Sequence, residues 1–225
     1  MARPDAIIKL IDVNYSIKIN DQWLHILQNI NLTINSGATI AITGASGSGK
    51  TSLLTLMAGL EKPSSGQIFY DKKDITLLSE DERAQLRATR IGFIFQFFQL
   101  LPNLTALENI MLPLEINHIK NARTIATEWI AKVGLSNRQS HYPLQLSGGE
   151  QQRVAIARAF AITPAVLFAD EPTGNLDKKT GLAVIDLLFE LNREHRATLV
   201  IVTHDDALAS RCQFQWPLID GKLQC

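Results

Sequence analysis

The most informative part of the chain is Gly44-Ala45-Ser46-Gly47-Ser48-Gly49-Lys50-Thr51. This stretch matches the pattern G-x-x-x-x-G-K-[ST], with a predicted strand before it, Thr39 to Thr43, and a predicted helix after it, Ser52 to Leu60. Its glycines let backbone N–H groups turn toward a phosphate, Lys50 adds a positive charge, and the Thr51 hydroxyl can ligate Mg²⁺. The flanking strand and helix favour a phosphate-binding loop over a Gly/Ser-rich loop without a ligand.

A second glycine-rich helix start, Leu146-Ser147-Gly148-Gly149-Glu150, lies further along the chain. A serine N-cap followed by glycines exposes N–H groups at the positive end of a helix, here predicted to run to Phe160, and such an end binds anions. Alone, the motif would indicate an ordinary capped helix. Beside the first loop it predicts a second phosphate site, and therefore two copies of the chain that meet around ATP.

Asp170 and Glu171 directly follow a predicted buried strand, Val166 to Ala169. The carboxyl ends of parallel strands are where α/β sheets bind their ligands. We predict that Asp170 contacts Mg²⁺ through the water shell of the ion, and that Glu171 orients or deprotonates the water that attacks the γ-phosphate. The alternative, two acidic residues that only cap the next helix, is disfavoured because the chain also has a phosphate loop.

Two further predicted strands end in polar side chains. Gln96 follows Ile91 to Phe95, at the junction with a helical segment, and its amide can contact Mg²⁺ or the attacking water. His204 follows Thr198 to Thr203, and its imidazole can donate to the γ-phosphate and bridge to Glu171. The predicted catalytic residues are therefore Glu171, His204 and Gln96.

The order of the predicted elements indicates the architecture. Strands alternate with helices along most of the chain, which predicts an α/β fold with a mostly parallel sheet. With the loop Gly44 to Thr51, this sheet resembles the core of a P-loop NTPase. Two strands joined by a polar turn, Ile7 to Val13 and Trp23 to Ile34, predict an N-terminal antiparallel part. Residues 96–158 are predicted to form a helical subdomain inserted into a single nucleotide-binding domain, residues 1–225. A late helix is predicted to bury the stripe Leu182, Ile185 and Phe189.

Composition narrows the classes of protein. The 225 residues are 46% hydrophobic and carry 22 basic and 22 acidic side chains, so a general nucleic-acid-binding surface is not predicted, although a local basic patch stays open. No segment has the roughly 18 apolar residues of a membrane span, and residues 1–13 lack the apolar core of a signal peptide. Cys212 and Cys225 are expected to be reduced thiols of a cytosolic protein.

Together these motifs resemble the nucleotide-binding subunits of ABC transporters. They stand in the order of that family: the Walker A loop at Gly44 to Thr51, the Q-loop at Gln96, the signature at Leu146 to Glu150, Walker B and the catalytic glutamate at Asp170 and Glu171, the D-loop at Asn175 to Asp177, and the switch histidine at His204. The resemblance implies an ATPase that uses ATP and Mg²⁺, with the metal near Thr51, Gln96 and Asp170. It implies nucleotide contacts at Tyr15, which would stack on adenine, and at Gly44, Ala45, Ser46, Gly47, Ser48, Gly49, Lys50, Thr51, Ser52, Ser147, Gly148, Gly149 and Asp177.

Within the family, three stretches resemble the lipoprotein-release and macrolide-exporter branch (LolD- and MacB-like): Arg90 to Gln96, Leu100 to Leu114 and Phe168 to Asp177. The stretch Asp186 to His195 resembles the YbbA-type subgroup of that branch. The branch implies a second copy of the chain and an integral membrane permease as partners. The permease is expected to dock near Gln96 to Leu114, and the chain to lie at the cytoplasmic face of the bacterial inner membrane.

Two alternatives belong to other functional classes. One is an ABC-type ATPase that acts on DNA or ribosomes. A single compact cassette without zinc-spaced cysteines argues against it, and no nucleic-acid partner is expected. The other is a regulatory ATPase of the cell-division type, which transmits a signal to a membrane partner without transporting a substrate, and the sequence leaves this alternative open.

Overall fold

The computed structural model of the protein describes residues 5–224, so Cys225 lies outside the described residues. The chain divides into two compact units. The first unit contains the residues up to Arg87 and those from Thr198 onward, and the second unit is Ala88–Ala197. In chain order the elements are β1 (Ala6–Ile19), β2 (Gln22–Asn35), β3 (Thr39–Thr43), α1 (Lys50–Met57), β4 (Ser65–Tyr70), β5 (Lys73–Asp74), α2 (Glu80–Arg90), β6 (Ile91–Ile94), α3 (Ala106–Ile116), α4 (Ala122–Lys132), α5 (Gly148–Ala161), β7 (Val166–Asp170), α6 (Lys178–His195), β8 (Thr198–Thr203), α7 (Asp206–Ala209), β9 (Phe214–Ile219) and β10 (Lys222–Leu223).

The first unit contains the antiparallel sheet predicted for the N-terminal part, with strand order β2-β1-β4-β5. Strand β1 alternates between buried and exposed residues, since Ile8 and Leu10 are buried and Lys9 between them is exposed, as expected for a strand with one face on the core. The turn from β1 to β2 is formed by Asn20 and Asp21, both with positive φ. Both predicted strands are confirmed, and both extend further than predicted.

The parallel strands of the first unit position the glycine-rich loop. Strand β3 pairs in parallel with β8 on one side and with β9 on the other, and Thr43 lies opposite Thr203. The central residues Ile40, Ala41 and Ile42 are fully buried, which is typical of a strand covered on both faces. The loop therefore leaves β3 at the carboxyl edge of the sheet. Helix α1 begins at Lys50, two residues before the predicted start, because the loop ends at Gly49.

The second unit combines a parallel strand pair with helices. Strand β6 pairs with β7, and Ile94 lies opposite Ala169. Gly92 in β6 lies close to α5, since a Cβ atom at this position would be 2.7 Å from the carbonyl oxygen of Ala159. Helices α3, α4 and α5 pack against one another, with the ring of Trp129 stacked 5.8 Å from that of Phe160.

The fold class is confirmed: the chain has an α/β fold with an N-terminal antiparallel sheet and mostly parallel pairing elsewhere. Residues 96–158 contain α3, α4 and most of α5, and no strand. That this interval is a separate subdomain stays a prediction. Among residues 5–224, no helix combines the length and the apolar character that crossing a membrane requires.

One predicted core position is wrong. Leu182 in α6 is 56% exposed, whereas Ile185 is buried as predicted and Phe189 is partly buried. The helix contains apolar residues on more than one face, so the period of the pattern did not decide which of them meet the core. The buried residues of α6 are Gly181, Val184, Ile185, Leu188, Leu191 and Asn192.

Candidate functional site

The loop between β3 and α1 has the backbone geometry of a phosphate-binding loop. Gly44 has a φ of 153°, and a Cβ atom there would lie 2.4 Å from the carbonyl oxygen of Leu218. Gly49, directly before α1, is left-handed with a φ of 99° and provides no side-chain cap. Larger residues at these two positions would be strained, so the sequence pattern and the observed conformation require the same residue type.

Lys50 lies inside this loop. Its side chain is 8% exposed, and its ammonium group donates 2.9 Å hydrogen bonds to the carbonyl oxygens of Gly44 and Ala45. Around the loop a cleft of about 460 Å³ opens, lined by Ala45–Ser48 and by residues of β2 and of the β9–β10 turn. The Ser48 hydroxyl oxygen is buried and has no hydrogen-bond partner among the described residues. The positive charge of Lys50, the Ser48 hydroxyl and the cleft around the loop together fit the phosphates of a nucleotide.

His204 lies at the same edge of the sheet as this loop. Because Thr43 and Thr203 are opposite each other in the parallel pair β3–β8, the residues that follow them, Gly44 and His204, leave neighbouring strands at their carboxyl ends. The His204 side chain is exposed. The structure thus places His204 at the same sheet edge as the phosphate loop within the first unit, and its role toward the γ-phosphate stays a prediction.

Tyr15 lies on β1, in the antiparallel sheet of the first unit. Its side chain is partly buried, and its hydroxyl group donates to the carboxylate of Glu61. This hydrogen bond, burial and the charge of Glu61 raise the pKa of Tyr15 to about 12. The phenol therefore stays neutral, and Glu61 holds one edge of the ring. No pattern in the sequence pointed to Glu61, because its role depends on contact with a strand distant in sequence.

In the second unit, Gln96 and the two carboxylates share an edge. Parallel pairing of Ile94 with Ala169 places the residues after β6 beside the end of β7, where Asp170 and Glu171 are both partly buried. Glu171 has a φ of 44°, a left-handed conformation that is uncommon for a residue with a side chain. Such backbone outliers cluster at functional sites.

The loop after Glu171 is held by a residue that sequence analysis missed. Gln152 in α5 is fully buried, and its side-chain amide donates a 2.6 Å hydrogen bond to the carbonyl oxygen of Pro172. This bond fixes the residue next to Glu171. A polar side chain at a buried position of an amphipathic helix is the sequence signal that would have identified Gln152.

The same loop also contacts Gln96. Asn175 donates a 2.8 Å hydrogen bond from its side-chain amide to the carbonyl oxygen of Gln96. A Cβ atom at Gly174 would lie 2.8 Å from the side-chain nitrogen of Gln96, so glycine at this position leaves room for the amide. Gln96 and the segment after Glu171 therefore form one packed arrangement.

The second helix start, before α5, has a complete capping box. The Ser147 hydroxyl accepts from the backbone N–H of Glu150 at 3.3 Å and donates to the carboxylate of Glu150 at 2.8 Å. That carboxylate also accepts from the backbone N–H of Ser147 and forms an ion pair of 3.1 Å with Arg138. The hydrogen bonds from Ser147 are the main cause that lowers the pKa of Glu150. Ser147 itself is exposed.

The glycines of this start lie against the beginning of α6. A Cβ atom at Gly149 would lie 2.3 Å from the Thr180 side chain, and one at Gly148 would lie 3.2 Å from that of Leu176. Asp177 caps α6, since its carboxylate accepts from the backbone N–H groups of Lys179 and Thr180. Hydrogen bonds from the side chain and the backbone of Thr180, with a smaller contribution from the backbone of Lys179, lower the pKa of Asp177. The nucleotide contact predicted for Asp177 is untested, and the structure assigns it a capping role.

Comparisons with known proteins agree with this geometry. Residues 27–174 match the profile of the ABC transporter family. The ABC transporter ATP-binding protein YbbA of Escherichia coli K12 is 48% identical over 98% of this chain and 97% of its own length. The lipoprotein-releasing system ATP-binding protein LolD of Geobacter metallireducens is 44% identical over 97% and 98%, respectively.

Two solved structures are similar along nearly the whole chain. One is a dimeric, post-hydrolysis state of the ATP-binding cassette MJ0796 bound to ADP and Pi, with a TM-score of 0.90, 40% identity and coverage of 97% of each chain. The other is cbiO1 of Clostridium perfringens, part of the ABC transporter complex cbiONQ. It has a TM-score of 0.85 and 30% identity, and it covers 98% of this chain and 88% of its own.

Proposed function

Because the chain belongs to the ATP-binding subunits of ABC transporters and is an ATPase, we propose that two copies close around two ATP molecules and drive a membrane permease. The proposed permease is of the lipoprotein-release or macrolide-export type, since relatives of this chain include LolD and YbbA at 44% and 48% identity. The chain would lie at the cytoplasmic face of the inner membrane, attached through that permease.

The observation that carries this proposal is the presence of two phosphate-binding helix starts in one chain. The loop before α1 provides a buried Lys50 and a glycine-rich backbone that would hold one nucleotide. The start of α5 presents an exposed Ser147 and the positive end of a second helix. We assign this second start to the γ-phosphate of ATP bound by the other copy. The dimeric MJ0796 cassette, 40% identical to this chain, supports the assignment.

On binding, Lys50 would exchange its hydrogen bonds to Gly44 and Ala45 for bonds to the β- and γ-phosphates. The loop N–H groups and Ser48 would hold the same phosphates, because the Ser48 hydroxyl is buried without another partner among residues 5–224. Tyr15 would stack on adenine, its ring held at one edge by Glu61.

Mg²⁺ would be held by the Thr51 hydroxyl and the Gln96 amide together with phosphate oxygens, and by the Asp170 carboxylate through the water shell of the ion. Hydroxyl, amide and carboxylate oxygens are ligands of hard cations, so the donor set fits this ion. Bound Mg²⁺ neutralises charge on the phosphate oxygens during transfer.

Hydrolysis is assigned to Glu171, which would orient or deprotonate the attacking water. His204 would donate to the γ-phosphate and stabilise the charge that develops there. Gln96 would couple the presence of the γ-phosphate to the helical segment that follows it. Its carbonyl oxygen is hydrogen-bonded to Asn175, in the loop after Glu171.

Replacing Glu171 tests the catalytic assignment. The Glu171→Gln variant keeps the size and polarity of the side chain but loses the base, so we expect turnover to fall by at least about a hundredfold while ATP still binds. Size-exclusion chromatography with ATP and Mg²⁺ should then show a trapped dimer. Glu190→Gln, an exposed carboxylate on α6, is the matched control and should behave as wild type. Wild-type turnover in Glu171→Gln would exclude this role.

We also propose that the permease docks on the apolar segment after Gln96. Phe97 is 68% exposed and Leu101 is 44% exposed, whereas Phe98 and Leu100 are partly buried. The first two side chains are therefore available to a partner helix, and the other two are part of the packing of the second unit.

The Phe97→Asp variant tests this surface. A charge in an apolar contact costs a few kcal/mol, so we expect co-purification with the permease to fall at least about tenfold while ATP binding is kept. Leu77→Asp, at a residue of the first unit that is 81% exposed, is the matched control. Both variants should melt within a few degrees of wild type. If folded Phe97→Asp still co-purifies normally, the docking site is elsewhere.

A further inference from the structure

The turn after Gln96 has an uncommon backbone. Phe98 and Gln99 have φ values of 61° and 51°, so two successive residues with side chains are left-handed. The N–H of Gln99 donates to the carbonyl oxygen of Phe97 at 2.5 Å, which closes the turn tightly. Each left-handed residue other than glycine is sterically unfavourable. Unlike Asn20 and Asp21 in the turn from β1 to β2, Phe98 and Gln99 are not residue types enriched in this conformation, so support from outside the segment would stabilise the turn.

Arg158 provides this support. It lies in α5, and its guanidinium group donates to the carbonyl oxygens of Gln99, at 2.6 Å, and of Phe98, at 3.0 Å. Burial lowers the pKa of Arg158 to about 10, so the group is still charged at neutral pH. A charged planar donor that bonds two successive carbonyl groups is stronger and more directional than a neutral one.

The segment is thus fastened at both ends within the second unit. Asn175 bonds the carbonyl oxygen of Gln96 at 2.8 Å, and Arg158 bonds the two residues that follow the exposed Phe97. Helix α5, which carries Arg158, begins directly after Ser147.

We propose that Arg158 is a positioning residue for the ATPase reaction. By holding Phe98 and Gln99 in their left-handed conformations, it sets the direction in which Gln96 and Phe97 leave strand β6. It also connects this turn to the helix that starts at Ser147. The inference rests on the proposed roles of Gln96 and Ser147, and it assigns to Arg158 no contact with ATP.

The first test replaces the guanidinium group. For Arg158→Met we expect the kcat of ATP hydrolysis to fall about tenfold, with the KM for ATP changed less than about twofold, because the phosphate loop is not altered. Arg158→Lys keeps one charged donor and should retain an intermediate kcat. Arg193→Met, an exposed arginine in the last turn of α6, is the matched control. Hydrogen exchange should show faster exchange at residues 97–101 in Arg158→Met only.

The second test removes the steric cost of the left-handed backbone at Gln99. Glycine adopts a left-handed conformation without steric cost, so Gln99→Gly in the Arg158→Met background should recover at least about a third of the lost kcat. The same substitution in the wild-type chain should change kcat little. If Arg158 only contributed to overall stability, its replacement would lower the melting temperature, and a change confined to the turn would not restore kcat. If Arg158→Met does not fold, Arg158→Lys with and without Gln99→Gly makes the same comparison.

Three results would overturn the proposal: unchanged hydrogen exchange at residues 97–101, a raised KM with kcat unchanged, or no recovery with Gln99→Gly. Hydrogen exchange is measured on the isolated chain and needs neither dimer nor permease. Failure of the Glu171 or docking assignments would therefore leave the exchange result intact, and the two failures can be told apart.

Discussion

The two helix starts that we propose bind phosphates are built in opposite ways. Helix α1 follows Gly49, which is left-handed with a φ of 99° and has no side-chain cap. Helix α5 follows Ser147, which is extended and forms a complete capping box with Glu150. The first start has no side-chain cap, so a bound anion would satisfy N–H groups there, whereas at the second start the capping box already satisfies two N–H groups.

The two helix starts therefore have different expected roles in a single chain. Around α1, the buried Lys50 is bonded to the loop itself, and in the proposed function a nucleotide would replace those bonds. At α5, the Ser147 hydroxyl is already shared with Glu150, so a phosphate must compete with the carboxylate. We therefore expect damage at the first start to abolish nucleotide binding, and damage at the second to abolish only hydrolysis by the pair.

The strongest prediction concerns a mixed dimer, in which one chain carries a substitution at the first helix start and the other chain carries a substitution at the second. Lys50→Ala should lose ATP binding, and Ser147→Arg should keep it, yet each variant alone should lose at least about a hundredfold in ATPase activity. In a mixed dimer, one site still has an intact Lys50 facing an intact Ser147. Mixing equal amounts should therefore restore about a quarter of the wild-type rate, from random pairing of a two-fold symmetric dimer. Normal ATPase activity in Ser147→Arg alone would contradict the shared site.

Substitutions at the two residues that precede the helices, Gly49 and Ser147, are expected to have smaller and different effects on stability and ATP binding. In Gly49→Ala, a Cβ atom would lie 3.0 Å from the Ile26 carbonyl oxygen in a left-handed backbone, so we expect a loss of stability of about 1–3 kcal/mol and weaker ATP binding. Ser147→Ala removes a cap, which costs about 1 kcal/mol and lowers the melting temperature by roughly 2–4 °C. Nucleotide titration and thermal melts of the isolated chains measure both. If Ser147→Ala weakens ATP binding by the single chain as much as Gly49→Ala, the comparison fails.

The smallest effect is a pH dependence at the second start. Hydrogen bonds from Ser147, with a further contribution from Arg138, lower the pKa of Glu150 below its ordinary value of 4.5. The stability that the charged carboxylate contributes is therefore present above about pH 4.5 and is lost as the pH falls through the lowered pKa. Glutamine also completes a capping box, so Glu150→Gln should be nearly as stable as wild type at pH 7. Urea midpoints at pH 7 and pH 4 should show a weaker pH dependence in the variant, and equal pH dependence would exclude this contribution.

Much of the fold was predictable because it depends on contiguous residues. The predicted strand Thr39 to Thr43 agrees with β3, and Thr198 to Thr203 with β8, since both are short apolar or β-branched runs bounded by polar residues. Leu182 was wrongly predicted as buried, because α6 has apolar residues on more than one face. Which face meets the core depends on the neighbouring elements and not on the helix alone.

The candidate site also has features that the sequence predicts and contacts that only the fold creates. The loop Gly44 to Thr51, the capped helix start at Ser147 and the polar residues after three strands could be predicted from the sequence alone, because backbone geometry restricts residue type at consecutive positions. The folded chain was needed to show that Gln152 holds Pro172, that Asn175 holds Gln96, and that Arg158 holds Phe98 and Gln99. Each of these hydrogen bonds joins a side chain to a backbone carbonyl of another segment. A carbonyl group is present at every residue, so no pattern of residue types marks the acceptor, and only the folded chain brings it within reach of its donor.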